Sequence, residues 1–190
     1  MPASSEGKLR VYVPATVAML RDLVNDREIR AINDTAFAVT PALREAYASG
    51  DDEELAEVAM GEAARAALRL LADEREAALA SADADEDDDN PAYHSPVYRR
   101  AVIAADIADA ALRPDLDDAV VRLSAPIAYH QIASVHVDLA EAEPAVAKAV
   151  DVIDAADLGD PDAEFVLGDA EDHQLAWYAA QELPFLLELL

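Results

Sequence analysis

His136-Val-Asp138 is the first place in this chain where side chains of the right kind stand close enough to act together. Residues two apart on a strand project from one face. An imidazole beside a carboxylate there can serve as a pair of metal ligands or as an acid/base pair. No third ligand stands near them in sequence, so a polar face or a structural hydrogen bond is the leading account. The run Asp169-Ala-Glu-Asp-His173 places three carboxylates and an imidazole within five residues. Acids suit the positive end of a following helix, with Asp172 as its cap, and the run lacks the spacing and glycine of a calcium loop. No metal and no cofactor are expected. If catalysis exists, His136, Asp138 and His173 are its candidates, and they must converge in space.

Trp177 and Tyr178, with Gln181 and Glu182, form the most aromatic stretch of an aromatic-poor chain. On a helix, adjacent side chains diverge by about 100°, so one ring is a candidate for a partner contact, with packing over a neighbouring helix as the leading account. Arg44 and Tyr12 are candidates to line a small-molecule site at the ends of the strands. Arg44, Arg99 and Arg100 are also expected to make internal ion pairs in so acidic a chain. Familiar catalytic patterns are missing from the sequence: no phosphate loop, no Gly-x-Gly-x-x-Gly and no Gly-x-Ser-x-Gly. With no Cys, a disulfide framework, a thiolate zinc site and a cysteine nucleophile are excluded.

The elements that must position these residues follow from periodicity and caps. Leu9–Pro14 and Ala36–Thr40 read as strands. Thr16 reads as the N-cap of a helix carrying Val17, Leu20, Leu23 and Val24. Thr40-Pro41 joins an N-cap to a Pro at N1, and Asp51 with Glu54 makes a capping box ahead of a long helix, about 52–79. Its seam of Leu55, Ala59, Ala63, Ala66 and Leu70 predicts a close, core-facing approach. Strands are predicted over Tyr98–Ile107, Ala119–Ser124 and Ser134–Leu139, with a turn or short helix at Ile127–Ile132. A helix is predicted over Glu143–Ala156, a last strand over Ala163–Leu167, and a last helix from Asp172 through Leu175, Tyr178, Ala179 and Leu183. The sum is an α/β or α+β domain spanning 9–190, with one mixed sheet of five or six strands packed by helices. Residues 1–8 are expected to be flexible, and 81–96 to form an acidic, flexible loop inserted in the domain.

Charge bounds the partners. In 190 residues, 40 Asp and Glu face 14 Lys and Arg, a net charge of −26. Residues 1–40 balance, whereas 141–190 hold thirteen acids and one base. Removing the six acids of 83–89 leaves −20, so the folded body itself is acidic. Direct nucleic-acid binding needs clustered Lys and Arg and is excluded on that ground. No run approaches the length of apolar residues that a membrane helix needs, and an anionic surface disfavours anionic lipid. The first residues lack a basic stretch followed by an apolar one, so no signal peptide is expected and the setting is expected to be cytoplasmic.

Four separated segments carry a resemblance: Leu9–Thr16 (LRVYVPAT), Ala36–Tyr47 (AFAVTPALREAY), Ile132–Asp138 (IASVHVD) and Ala163–Tyr178 (AEFVLGDAEDHQLAWY). In order and content they resemble a family of small acidic actinobacterial proteins of uncharacterised function. The resemblance spans nearly the whole chain outside the N-terminus and the acidic run. It implies an actinobacterial source and a cytoplasmic setting, and no activity.

The leading expectation is a soluble, non-enzymatic interaction protein that binds a basic protein partner through its acidic C-terminal third, where net −12 exceeds what solubility needs. The alternatives are a small metal-dependent, hydrolase-like enzyme using His136, Asp138 and His173, a small-molecule-binding regulator, and a nucleic-acid mimic. Ligand or partner contacts are expected among Tyr12, Arg44, Trp177, Tyr178 and Glu182.

Overall fold

The computed structural model describes residues 7–84 and 95–190. β1 (Leu9–Ala15) lies near the middle of a sheet and is buried along most of its length. Val11, Val13 and Ala15 enter one core cluster and Tyr12 another, so both faces of the strand are covered. Thr16 ends it by capping α1 (Val17–Asp26), its hydroxyl accepting the Met19 N–H at 3.2 Å. α1 lays Val17, Leu20 and Leu23 inward and stops at Arg27, which takes a left-handed conformation with φ 62°. The Arg27 guanidinium stacks 3.7 Å from the centre of the Tyr129 ring. The next two residues, β2 (Glu28–Ile29), pair with β7 (Ile127–Ala128) in a separate two-stranded ribbon.

After β3 (Thr35–Ala38), Thr40 caps α2 (Pro41–Ala46), accepting the Leu43 N–H at 3.1 Å. The capping box forms as its residues predict. Asp51 accepts the Glu54 N–H at 2.9 Å, and Glu54 accepts the Asp51 N–H at 3.1 Å. From it rises α3 (Asp52–Ala84), longer than the expected helix by about one turn. The first four residues of the expected acidic loop, 81–84, are therefore helical, and 85–94 lie outside the described residues, as do 1–6.

The second half holds β4 (Ala101–Ile107), β5 (Ala110–Leu112), β6 (Val120–Leu123), β8 (Ile132–Val137), α4 (Glu143–Asp157), α5 (Pro161–Glu171), β9 (Ala176–Tyr178) and α6 (Leu183–Glu188). The large sheet has seven strands in the order β5-β6-β3-β1-β4-β8-β9. Every pairing in it is antiparallel, from Tyr12 opposite Ala104 in the centre to His136 opposite Trp177 at one edge. This corrects the expected mixed sheet of five or six strands. The two edge strands, β5 and β9, have three residues each, too few to show an alternating pattern in sequence.

The last quarter carries the largest correction. Residues 163–167, expected as a strand, lie in α5, and Ala176–Tyr178, expected within a helix, form β9. Asp160 caps α5, its carboxylate accepting the N–H groups of Asp162 at 2.9 Å and Ala163 at 3.1 Å, with Pro161 in the first turn. Gly159, at φ 91°, supplies the reversal that folds α5 back along α4. The spacing of Ala163, Leu167 and Ala170 then buries one helical face, although Phe-Val-Leu in isolation suits a strand.

Three apolar clusters hold the layers together. α1 and α6 cover one face of the sheet through Leu20, Leu23, Leu183 and Leu186. The N-terminal half of α3 covers the other face, its small Ala59, Ala63 and Ala64 lying against Tyr12, Phe37 and Val102. The C-terminal half of α3 brings Leu68 and Leu71 against Val146, Val150 and Ile153 of α4 and Leu167 of α5. Among the described residues, no helix is long and apolar enough to cross a membrane.

Candidate functional site

Arg100, immediately before β4, and Asp138, immediately after β8, are both buried, with side chains 3% and 0% exposed. The guanidinium donates from Nε to Oδ2 and from Nη2 to Oδ1 at 2.8 Å each, and the Arg100 backbone N–H donates to Oδ2, also at 2.8 Å. Nη2 further donates to the carbonyl of His173 at 2.8 Å. This two-pronged pair is the arrangement in which a buried charge is best satisfied. It ties three places in the chain together: the start of β4, the end of β8 and the α5–β9 connection. Both carboxylate oxygens of Asp138 thus accept from Arg100, the structural hydrogen-bond role that is the leading account of this residue.

The imidazole of His136 has a different neighbour. Its Nε2 lies 3.0 Å from Oγ of Ser134, two residues back and on the same face of β8. Burial, aided by the positive charge of Arg10, holds the His136 pKa below the ordinary imidazole value of 6.5. The ring is therefore neutral near pH 7. Trp177 stands opposite it across the β8–β9 pair and is 62% exposed.

A cavity of about 410 Å³ opens beside these groups, within the usual range for a small-ligand pocket, roughly 300–1,000 Å³. Glu57, Met60, Gly61 and Ala64 line it from α3, His136 from β8, and Glu171, His173, Gln174 and Leu175 from the end of α5 and its connection to β9, with Arg100 at its base. His136 and His173, 37 residues apart in the chain, thus meet in one cavity. Among the described residues, no group of three His, Asp or Glu is placed to hold a metal ion.

The remaining candidates do not join this cavity. Tyr12 is in the core under α3, where burial pushes its phenol pKa up. Arg44 is exposed on α2 and pairs with Asp52, the internal ion pair expected of it. Trp177 and Tyr178 diverge as adjacent residues of a strand rather than a helix, and Tyr178 packs on the α1/α6 side of the sheet. Glu182 accepts the Ala179 N–H at 2.8 Å in a short turn of helix. Glu57, Met60 and Ser134 were missed as site residues, whereas Arg100 makes the internal ion pair expected of it. Ser134 could have been found from its i, i+2 relation to His136, and Glu57, Met60, Gly61 and Ala64 from their helical spacing. No local pattern marked Asp138, 38 residues away, as the partner of Arg100.

The acidic C-terminal third is partly matched from within. Arg65 reaches Glu164 at 2.7 Å, Asp157 at 3.2 Å and Glu171 at 3.8 Å, and Arg69 reaches Asp157 at 2.5 Å. Arg75 pairs with Asp151, and Arg99 with Glu143 at 2.7 Å. The hydrogen bonds from Arg69 and Arg65 hold the carboxyls of Asp157 and Glu164, respectively, below their usual range. Glu141, Asp154, Asp160, Asp162, Asp169 and Asp172 make no ion pair among the described residues, and Leu158 and Phe165 beside them are 90% and 77% exposed.

Among protein-family models, one described as a family of unknown function (DUF6912) matches residues 9–187. No curated protein and no solved structure matches the chain.

Proposed function

We propose that this chain, which belongs to the DUF6912 family of unknown function, is a non-enzymatic interaction protein that binds a basic protein partner through the outer surface of α4 and α5. The observation that carries this reading is the stripe Asp162, Phe165, Asp169 and Asp172, at i, i+3, i+7 and i+10 along α5 and its cap. Those spacings set an exposed aromatic ring among three carboxylates on one side of the helix. The acids that Arg65, Arg69 and Arg75 neutralise face α3, whereas none of these three has an ion-pair partner among the described residues. An apolar residue within an anionic field suits a partner segment that alternates basic and apolar residues, the charges steering it and the ring anchoring it. A cytoplasmic setting in an actinobacterial cell belongs to the same reading, supported by the absence of Cys and by the resemblance of the four segments.

The test is capture from lysate with the wild-type chain and with a D154N/D162N/D169N variant, which removes charge and leaves the Asp160 cap intact. The expected result is a basic protein retained at low salt, released at high salt and lost with the variant. An empty eluate at low salt, or an unchanged set of proteins with the variant, would overturn the reading.

A further inference from the structure

We propose that the cavity between α3, β8 and the α5–β9 connection takes the cationic end of an Arg or Lys side chain presented by that basic partner. The inference rests on the proposed partner and adds the place where one of its side chains is gripped. Two carboxylates bound the cavity. Among the described residues, Glu57 makes no ion pair and Glu171 has only the 3.8 Å contact with Arg65. The one cation in the lining, Arg100, is matched by Asp138, so the base of the cavity contributes no net charge to repel a guanidinium. His136 is neutral near pH 7 and leaves its Nδ1 side for a hydrogen bond.

The rest of the lining fits a long aliphatic stem with a charged head. Met60, Ala64 and Leu175 supply apolar wall for methylenes, and the exposed indole of Trp177 stands opposite His136 at the open edge of the sheet. An anionic ligand meets the opposite conditions, with Glu57 and Glu171 at the mouth and the only lining guanidinium already paired.

Trp177, the single tryptophan of the chain, stands opposite His136 at the sheet edge but outside the cavity lining, so binding in the cavity is read by calorimetry. The experiment titrates the full chain with N-acetyl-arginine amide, N-acetyl-lysine amide and, as the neutral isostere, N-acetyl-citrulline amide. Saturable binding by calorimetry is expected with the cationic probes, about tenfold weaker affinity in E57Q/E171Q, and little response to citrulline. Absence of any saturable response, or an equal response to citrulline, would overturn the proposal. Glu57 and Glu171 are exposed, so the double variant should keep its fold, checked by circular dichroism, and M60K, which places a cation inside the cavity, gives a second route to the same loss. If D154N/D162N/D169N loses the partner while the cationic probes show no saturable binding, the cavity proposal fails and the docking surface stands. If the probes bind and partner capture is indifferent to that variant, the α4–α5 surface fails and the cavity stands as a cation site.

Discussion

A guanidinium as deeply buried as that of Arg100 cannot be left without its carboxylate. Replacing Asp138 with Ala removes the acceptor for three hydrogen bonds and strands the charge. Breaking one side of such a pair costs about 3–5 kcal/mol, so urea denaturation of D138A should show a loss of that size. A loss below about 1 kcal/mol would mean that Arg100 finds water or another acceptor. His136 makes a pH-dependent contribution of its own. Because burial lowers its pKa below 6.5 in the folded chain, the folded state binds fewer protons than the unfolded state as pH falls through that window. The stability associated with neutral His136 is thus present above pH 6.5 and is lost as pH drops toward its folded value. H136Q should show a shallower fall in Tm than the wild type between about pH 7.5 and 5. Identical slopes would place the acid sensitivity elsewhere.

At the scale of elements, α5 distinguishes the two ways of reading Ala163–Leu167. A strand would put Ala163, Phe165 and Leu167 on one buried face, since its side chains alternate. The helix buries Ala163 and Leu167 and turns Phe165 outward at 77% exposure. L167A should therefore cost about 2–5 kcal/mol, whereas F165A should change stability by less than about 0.5 kcal/mol. Equal losses in thermal unfolding would favour the strand. The clue was in the sequence: Asp160-Pro161 repeats the cap-and-proline pattern that Thr40-Pro41 carries. The β-favouring Phe-Val-Leu points the other way, but propensity in so short a run is decided by what the segment packs against. β9 is the converse case. Its three residues are a strand only because β8 offers them an edge.

For the whole molecule, attraction and repulsion act over different distances. Among the described residues, nine of the twelve Arg, at positions 10, 30, 44, 65, 69, 75, 99, 100 and 113, sit in ion pairs with contacts of 3.2 Å or less. Such contacts are shorter than the screening length at any moderate ionic strength, whereas the mutual repulsion of the 26 excess negative charges extends beyond it. Adding NaCl from about 0.02 to 0.5 M, over which the screening length falls from roughly 20 Å to 4 Å, should therefore raise Tm. A fall in Tm would mean that the Arg65, Arg69 and Arg75 ties between α3 and the α4–α5 pair outweigh the repulsion they offset.

What the sequence determined by itself was whatever depends on neighbours within one helical turn or one strand. The Thr16 and Thr40 caps, the Asp51–Glu54 box, the course of β1 and the inward face of α4 all fall in this class. Their partners lie three or four residues away, or on the same strand face, and residue type alone specifies the geometry. Tertiary structure decided what depends on distant partners: the antiparallel strand order, the helix at 161–171, and the cavity where His136 and His173 meet. Arg100 finds Asp138 across 38 residues and the His173 carbonyl across 73. No local pattern records such pairings, because the energy that selects them arises only when the sheet has brought the two ends of β4 and β8 together and removed their charges from water.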